Sequence, residues 1–115
     1  MKQMWNKTQN TVLVPHLEVA TAFVDRGVGL LKRASLNEQE GLWINPCNSI
    51  HTFFMKFSID CIFVTKDLVV DDLVENVAPW KVVFPRWRSR SVIELPSGSI
   101  RKSNVKKGDQ LNVVS

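Results

Sequence analysis

The segment GLWINPCNSIHTFFMKFSIDCIFV, residues 41–64, decides the fold of this chain. From Phe53 to Phe63, an apolar residue occupies every second position. Side chains that alternate in this way point to opposite faces of an extended strand, so one face of the segment is predicted to be buried. The segment also holds both cysteines and one of the two histidines. The core and a candidate site are therefore both expected here.

The composition is that of an ordinary globular domain, with 115 residues, 44% hydrophobic and 23% charged. A chain of this length buries enough surface to fold without disulfides or metals. Residues 1–10 are polar and are predicted to be a flexible N-terminus, followed by a single globular domain over residues 11–115. There is no apolar run of ~20 residues and no signal-peptide pattern. We therefore expect a cytoplasmic protein with reduced thiols and no membrane partner.

Charge is distributed unevenly along the chain, although the net charge is only +4. Residues 1–79 contain seven basic and nine acidic residues, whereas residues 80–107 contain eight basic residues and one acidic residue. Such an asymmetry predicts that the C-terminal third meets an acidic partner, or an acidic patch on the same fold.

The hydrophobic periodicity indicates an α+β fold that is mainly β. A spacing of three to four residues predicts one helix at about residues 21–33, with Thr21 as its N-cap. About seven short β-type runs are separated by proline, glycine and Lys-Asp turns. No repeat or long linker divides the chain, so these elements are expected to share one core.

Several motifs resemble one known family. They are Gly41-Leu42, Cys47-x-Ser49-Ile50-His51-Thr52-Phe53-Phe54-Met55, Asp60-x-x-Phe63, Pro79-Trp80 and Val92-Ile93-Glu94-Leu95-Pro96-x-Gly98. In this order they resemble the family catalogued as domain of unknown function 192. The resemblance implies a bent antiparallel β-sandwich or partial barrel with one helix packed against it. It implies no particular chemistry, because the family has no established activity.

The chain departs from the family pattern at three positions. Members often carry glycine where this chain has Lys32, proline where it has Ser58 and arginine where it has Lys81. A lysine supplies charge at the third position without the two-pronged geometry of a guanidinium. Members also commonly carry export signals or membrane anchors, which are not expected here.

Metal binding is one candidate function for the cysteine-containing segment. The available ligands are Cys47, His51, Asp60, Cys61 and the distant His16. Zinc needs three or four converging ligands, yet neighbouring residues of a strand such as Asp60 and Cys61 point to opposite faces. The alternative is that Cys61 is a small buried apolar residue. We predict no metal and no cofactor.

A cysteine enzyme is a second candidate. Cys47 and His51 have the chemistry of a nucleophile and a base, and both lie at a predicted loop-to-strand junction, where side chains can be exposed. Four residues of extended chain separate them by ~13 Å, although a tight loop would bring them closer. No third residue that would orient the histidine is evident, so an enzyme is less favoured than a binding protein.

The basic segment suggests nucleic-acid or other polyanion binding, because aromatic residues alternate with cations there. Trp80 and Trp87 offer surfaces for stacking. The cations expected to receive phosphate are Arg86, Arg88, Arg90, Lys106 and Lys107. The alternative is a solvated basic loop that the tryptophans anchor to the core.

The favoured hypothesis is a small non-enzymatic binding module with a polar pocket for a small anionic ligand. The predicted ligand-binding residues are Cys47, His51, Asp60, Trp80, Lys81 and Arg86. Structural roles are the alternatives for the acidic residues. Asp60 would accept backbone hydrogen bonds, and Glu94 would pair with Arg90 or Arg101.

Overall fold

A computed structural model describes residues 2–20 and 37–115, most of which lie in short β-strands. The strands are β1 (Lys2–Asn6), β2 (Thr11–Ala20), β3 (Glu40–Ile44), β4 (Ile50–His51), β5 (Ile59–Val64), β6 (Val70–Val77), β7 (Val82–Val83), β8 (Ser91–Pro96) and β9 (Leu111–Val114). A short helix, α1 (Ser99–Ser103), follows β8. The helix predicted at residues 21–33 lies outside the described residues.

Seven strands form one curled sheet in the order β6-β5-β8-β3-β2-β1-β9, and β4 pairs with β7 in a separate ribbon. Strands β2 and β3 are parallel, whereas the other neighbours are antiparallel. The curl brings the two edge strands, β6 and β9, close enough for the residues that precede them, Val69 and Gln110, to form a bridge. The predicted mainly β, partial-barrel fold is confirmed.

One apolar cluster fills the inside of the curl. Strands β5 and β8 contribute alternate residues, including the fully buried Ile62 and Ile93. Ile100 of α1 belongs to the same cluster. Gly41 permits close packing here, because a Cβ at this position would lie 2.8 Å from side-chain atoms of both Val14 and Leu95.

A second apolar cluster occupies the other face of β5 and β8, beneath the β4–β7 ribbon. Cys61 and Phe63 are fully buried in it, as the alternating pattern predicts. The ribbon contributes Ile50 and Val83. Strand β5 is thus buried on both faces, and the residues that precede it lie in the loop above this second cluster.

The N-terminus differs from the prediction of a flexible segment. Strand β1 lies between β2 and β9 in the sheet, and Met4 is fully buried. Asn6 donates a hydrogen bond of 2.8 Å to Asp109 near the other end of the chain. A polar composition suggested fraying, but pairing on both sides satisfies the backbone of this segment and orders it.

No helix within residues 2–20 and 37–115 has the length and apolar character needed to cross a membrane.

Candidate functional site

Exposed aromatic and apolar side chains are concentrated on the two loops around the β4–β7 ribbon. Six of the nine large apolar residues that are exposed in the described part of the chain lie here. We call this surface the aromatic strip, and its members are Phe53, Phe54, Trp80, Val82, Phe84 and Trp87. Clustered exposed apolar residues mark interaction sites more often than scattered single residues do.

Two members of the strip have strained backbones. Phe54 has a φ of 67° and Trp80 a φ of 65°, in the left-handed region that bulky residues rarely adopt. Their exposed fractions are nevertheless 68% and 59%. Strain of this type costs on the order of 1 kcal/mol or more per residue and is concentrated at functional sites. Two rings are therefore held in solvent at a cost in folding stability.

Thr52 holds the two loops of the strip together. Its hydroxyl donates to the Ala78 carbonyl oxygen over 2.6 Å and accepts from the Lys81 backbone N–H over 2.9 Å. Its own backbone N–H donates to the Lys81 carbonyl, and its carbonyl accepts from the Trp80 N–H. Thr52 is fully buried, so these contacts form a fixed base beneath the exposed rings.

The rings at one end of the strip contact one another. The centroids of Phe53 and Trp80 are 5.9 Å apart in a stacked arrangement, and those of Phe54 and Trp80 are 4.7 Å apart. His51 lies 5.0 Å from Phe53. These separations fall in the range of favourable aromatic pairs. The result is an ordered group of rings rather than a set of independent side chains.

Cations alternate with the rings along the second loop. Lys81 is exposed between Trp80 and Val82, whereas the next residue, Val83, is buried. Arg88 and Arg90 are also exposed. The strip therefore presents apolar rings and positive charge on the same segment.

Arg86 is held more firmly than the other cations. Its Nε donates to Asp72 Oδ2 over 2.9 Å, and its Nη1 donates to the Phe84 carbonyl oxygen over 2.5 Å. The guanidinium carbon lies 4.8 Å from the centroid of the Phe63 ring. A guanidinium on an aromatic face gains a cation–π contact, so this side chain has a defined position at the edge of the strip.

Asp72 links the two basic segments of the chain. Besides Arg86, its carboxylate contacts Lys107, with 3.3 Å between Nζ and Oδ1. Partial burial alone would raise the pKa of Asp72, but hydrogen bonds from Arg86, the Leu73 amide and Lys107 lower it below its usual value. Asp72 thus stays ionised and neutralises part of the positive charge.

Three of the six predicted ligand residues are brought together. His51 lies beside Val82 in the β4–β7 pairing, and its ring neighbours the Phe53–Trp80 pair, with Lys81 next along the chain. Arg86 lies further along the same loop. The remaining two, Cys47 and Asp60, form hydrogen bonds with other residues. The six predicted residues therefore do not surround one pocket.

Asp60 is buried on the opposite face of β5 and accepts backbone hydrogen bonds. Its donors are the N–H groups of Asn76, Gly98 and Ile100, at 2.8, 3.1 and 2.9 Å. Gly98 has a φ of 95°, a left-handed value that glycine adopts without strain. It is the residue that immediately precedes α1. Asp60 therefore has a structural role as an acceptor of backbone hydrogen bonds, which was the alternative to its role in ligand binding.

The two cysteines are not joined in a disulfide, and they differ in environment. Cys47 is half-buried, and its thiol donates to the Ser49 carbonyl oxygen over 2.8 Å. Cys61 is fully buried, and burial, followed by the charges of Glu94 and Asp60, raises the pKa of its thiol. Such a thiol is a poor nucleophile. Because His51 is exposed and packs on Phe53, Cys47 and His51 take part in different contacts.

Glu94 is buried without the expected ion pair. It lies opposite Cys61 on β5 and Leu42 on β3 and is 6% exposed. Within the described ranges neither Arg90 nor Arg101 forms an ion pair with it. Burial raises the pKa of Glu94 to about 7. The residue belongs to the core and not to the strip.

Other candidate sites in the described part of the chain are weaker. Residues 2–20 and 37–115 contain no group of three or more His, Cys, Asp or Glu side chains that could hold a metal ion. A cavity of about 370 Å³ adjoins β2 and β3, and its lining contains none of the predicted ligand residues. It is lined by His16, Leu17, Glu18, Asn37, Gln39 and Glu40.

The sequence did not predict that Phe53 and Phe54 are exposed members of the strip. The alternating pattern placed Phe53 on the buried face of a strand, but the strand begins only at Ile59 and Phe53 lies in the preceding loop. Phe54 was not selected at all. The available signal was the adjacent pair of phenylalanines at the start of the pattern, which breaks the alternation of apolar and polar residues.

These observations define a class of protein: a small, mainly β module with a curled partial barrel and an exposed aromatic and basic surface. The DUF192 family model, described as "Uncharacterized ACR", matches residues 4–113, and the chain belongs to this family. It is 33% identical to a UPF0127 protein of Thermococcus sibiricus over 112 residues, covering 93% of this chain and 71% of the relative. A UPF0127 protein of Pyrococcus horikoshii is 31% identical over 111 residues, covering 92% and 94%.

Two solved structures share the fold. A protein of Sinorhizobium meliloti 1021, provisionally described as a transcription regulator, superposes with a TM-score of 0.80 at 18% identity, covering 97% of this chain and 91% of that one. A protein of unknown function from Novosphingobium aromaticivorans DSM 12444 gives a TM-score of 0.79 at 20% identity, covering 96% and 82%. At these identities the likeness concerns the fold alone.

Proposed function

We propose that this protein is a non-enzymatic binding module whose aromatic strip takes single-stranded nucleic acid. Bases stack on the exposed rings, and phosphates contact the neighbouring cations. One observation carries the proposal: Phe54 and Trp80 expose most of their side chains from strained backbone conformations, directly beside Lys81. Strained backbone conformations cluster at binding and catalytic sites, which supports a role in binding for these two exposed rings.

The strip suits a single strand better than a duplex. Stacking on an aromatic side chain contributes about 1–3 kcal/mol per base and requires that the base be unpaired. Trp80 and Phe84 project into solvent on either side of the buried Val83, so rings recur along an extended loop. Successive bases of one strand can meet successive rings, while Lys81 and Arg88 lie on the same loop to meet the backbone.

A small anionic ligand is the second candidate, and the grouping of His51, Trp80 and Lys81 favours it. A ring to stack on and a cation beside it also fit a single nucleotide. The chemistry is shared, since both ligands carry a base and a phosphate. They differ in the number of rings used, and a mononucleotide would need only the end of the strip around Trp80. The cytoplasmic location expected from the sequence is part of either proposal.

Fluorescence anisotropy with a labelled oligothymidylate of on the order of 10 nucleotides tests the proposal. We expect binding at ~50 mM salt that weakens as salt rises, because phosphate contacts release counterions. Trp80→Leu and Phe54→Ala should each weaken binding about tenfold or more. Val12→Ala, which alters an exposed apolar residue of β2, should leave it unchanged. Lys81→Gln should reduce the salt dependence, whereas Lys66→Gln in the β5–β6 turn should not.

Three results would overturn the proposal. They are the absence of binding at ~50 mM salt, equal binding by Trp80→Leu and wild type, and binding to anionic lipid vesicles in preference to the oligonucleotide. Titration with thymidine monophosphate separates the two ligands. If the monophosphate competes at concentrations similar to the oligonucleotide, a single-nucleotide site replaces the single-strand surface.

A further inference from the structure

The carboxylate of Asp72 lies between two cations that come from different parts of the chain. Arg86 Nε is 2.9 Å from one carboxylate oxygen and Lys107 Nζ is 3.3 Å from the other. The Arg86 and Asp72 side chains are 27% and 25% exposed, so the pair is accessible from solvent. An anion held by a guanidinium and an ammonium at the protein surface has the surroundings of a bound phosphate.

Arg86 is arranged to contact a further anion. The Phe63 ring and the Phe84 carbonyl oxygen fix the guanidinium, and Nε is used by Asp72. Over the ranges 2–20 and 37–115, no hydrogen bond is made by its Nη2 group. Guanidinium groups bind phosphate through two N–H groups at once. Asp72 therefore occupies part of a potential phosphate-binding site.

We infer that Asp72 limits the affinity of the aromatic strip for polyanions by holding Arg86 and Lys107. The inference rests on the proposed function and concerns the strength of that same site. A ligand phosphate reaches these two cations only in competition with a carboxylate of the protein itself. Asp72 is thus a residue that sets affinity, and replacing its charge should strengthen binding where most changes to the strip weaken it.

The loop that carries Arg86 does not depend on Asp72 for its position. The backbone N–H of Arg86 donates to the Asn48 carbonyl over 3.0 Å, and that of Arg90 donates to the Val64 carbonyl over 2.7 Å. Ser89 donates to Asp71 over 2.8 Å. Asparagine at position 72 also retains an oxygen to accept the Leu73 N–H. Asp72→Asn should therefore fold and keep the loop in place.

Glu38→Gln provides a matched control. Glu38 pairs with Lys102 at 3.3 Å, the same separation as in the pair of Asp72 and Lys107. The control changes the net charge by the same amount and releases a lysine of α1, outside the strip. It separates a general gain in positive charge from the release of these particular cations.

The test measures oligothymidylate binding as a function of salt for both variants and wild type. Asp72→Asn should bind about three- to tenfold more tightly at ~50 mM salt. Its slope of log K against log salt should steepen by about 0.7 for each cation released. Asp72→Asn combined with Arg86→Gln should lose most of the gain. Glu38→Gln should stay within about twofold of wild type.

The two proposals fail in different ways. If wild type binds through Trp80 but Asp72→Asn binds no more tightly than Glu38→Gln, the inference about Asp72 is wrong and the proposed function stands. If neither wild type nor Asp72→Asn binds the oligonucleotide at ~50 mM salt, both are wrong. Circular dichroism of Asp72→Asn confirms that the comparison is made between folded proteins.

Discussion

Asp60 and Thr52 are both fully buried polar residues that hydrogen-bond to backbone groups of other segments, yet the regions they hold together differ. Asp60 joins β6 and the start of α1 to β5, and Ile100 beside it is buried. Thr52 joins the loops around the β4–β7 ribbon, and the rings beside it are exposed.

The comparison shows that one chemical device serves two purposes. A buried polar side chain bonded to backbone fixes irregular segments that strand pairing leaves unsatisfied. Around Asp60 the fixed segments include the start of α1, whose Ile100 is buried in the core. Around Thr52 they hold apolar surface in solvent. Exposure of the strip is therefore a property of an ordered structure, and substitutions in the two regions should have separable effects on stability and on binding.

The largest expected effect comes from Asp60→Ala. Three backbone N–H groups would lose their acceptor, and hydrogen bonds to a charged group contribute about 1.5–3 kcal/mol each. We expect the free energy of unfolding to fall by about 5 kcal/mol, near the low end of the sum for three such bonds, measured by urea denaturation. Asp67→Ala, at an exposed position, should change it by less than about 0.5 kcal/mol. A loss below about 1 kcal/mol for Asp60→Ala would mean that water replaces the carboxylate.

Glu94→Gln should remove a pH dependence of stability. Burial raises the pKa of Glu94 from 4.5 to about 7, so between these values the folded state binds more protons than the unfolded state. Stability should then fall as pH rises from 5 to 8, by roughly 3 kcal/mol at most. Denaturation of wild type and variant across this range should show curves that diverge towards high pH. Parallel curves would exclude the raised pKa.

Thr52→Val should affect both stability and the strip. Valine lacks the hydroxyl, so the Ala78 carbonyl and the Lys81 N–H lose their partner, at a cost of about 2 kcal/mol in the free energy of unfolding. The Trp80 ring should lose its fixed position, and oligonucleotide binding should weaken with it. Thr52→Ser retains the hydroxyl and is the control for both measurements. If Thr52→Val is destabilised but binds normally, the strip does not require an ordered base.

The smallest effect should have the opposite sign. Phe54→Gly relieves a left-handed backbone conformation and should raise the free energy of unfolding by about 0.5–1 kcal/mol, while it weakens binding. Phe53→Gly is the matched control, because Phe53 is not among the residues with positive φ, and glycine there should destabilise the protein. Equal effects of the two substitutions on unfolding would show that the strain at Phe54 is negligible.

The alternating pattern predicted the buried strand, and the family resemblance implied the partial barrel, but neither predicted where that strand begins. Alternation identifies the buried Cys61 and Phe63, since it reports local geometry. The alternation wrongly predicts that Phe53 is buried in a strand. Contacts of Thr52 with Ala78 and Lys81, which are distant in sequence, hold this segment in a loop instead. Non-local contacts of this kind leave no periodic signal.

The same reason accounts for the N-terminus and for Glu94. Strand β1 is ordered by pairing with β9 at the other end of the chain, and nothing in its own polar composition reveals that partner. Glu94 was expected to find an arginine because charged residues are seldom buried alone. Its burial follows from its place in β8 between β3 and β5. The resemblance to a family supplied the fold at these points, whereas the candidate site required coordinates.

The position of β9 also bears on how the protein folds. Gln3 pairs with Val114, and Asn6 pairs with Leu111, so β1 acquires one of its two neighbours only when the last strand is present. Pairing between such distant segments has a high loop-closure entropy and is associated with slow folding. Strand β1 therefore keeps one edge unpaired until Leu111–Val114 are available to pair with it.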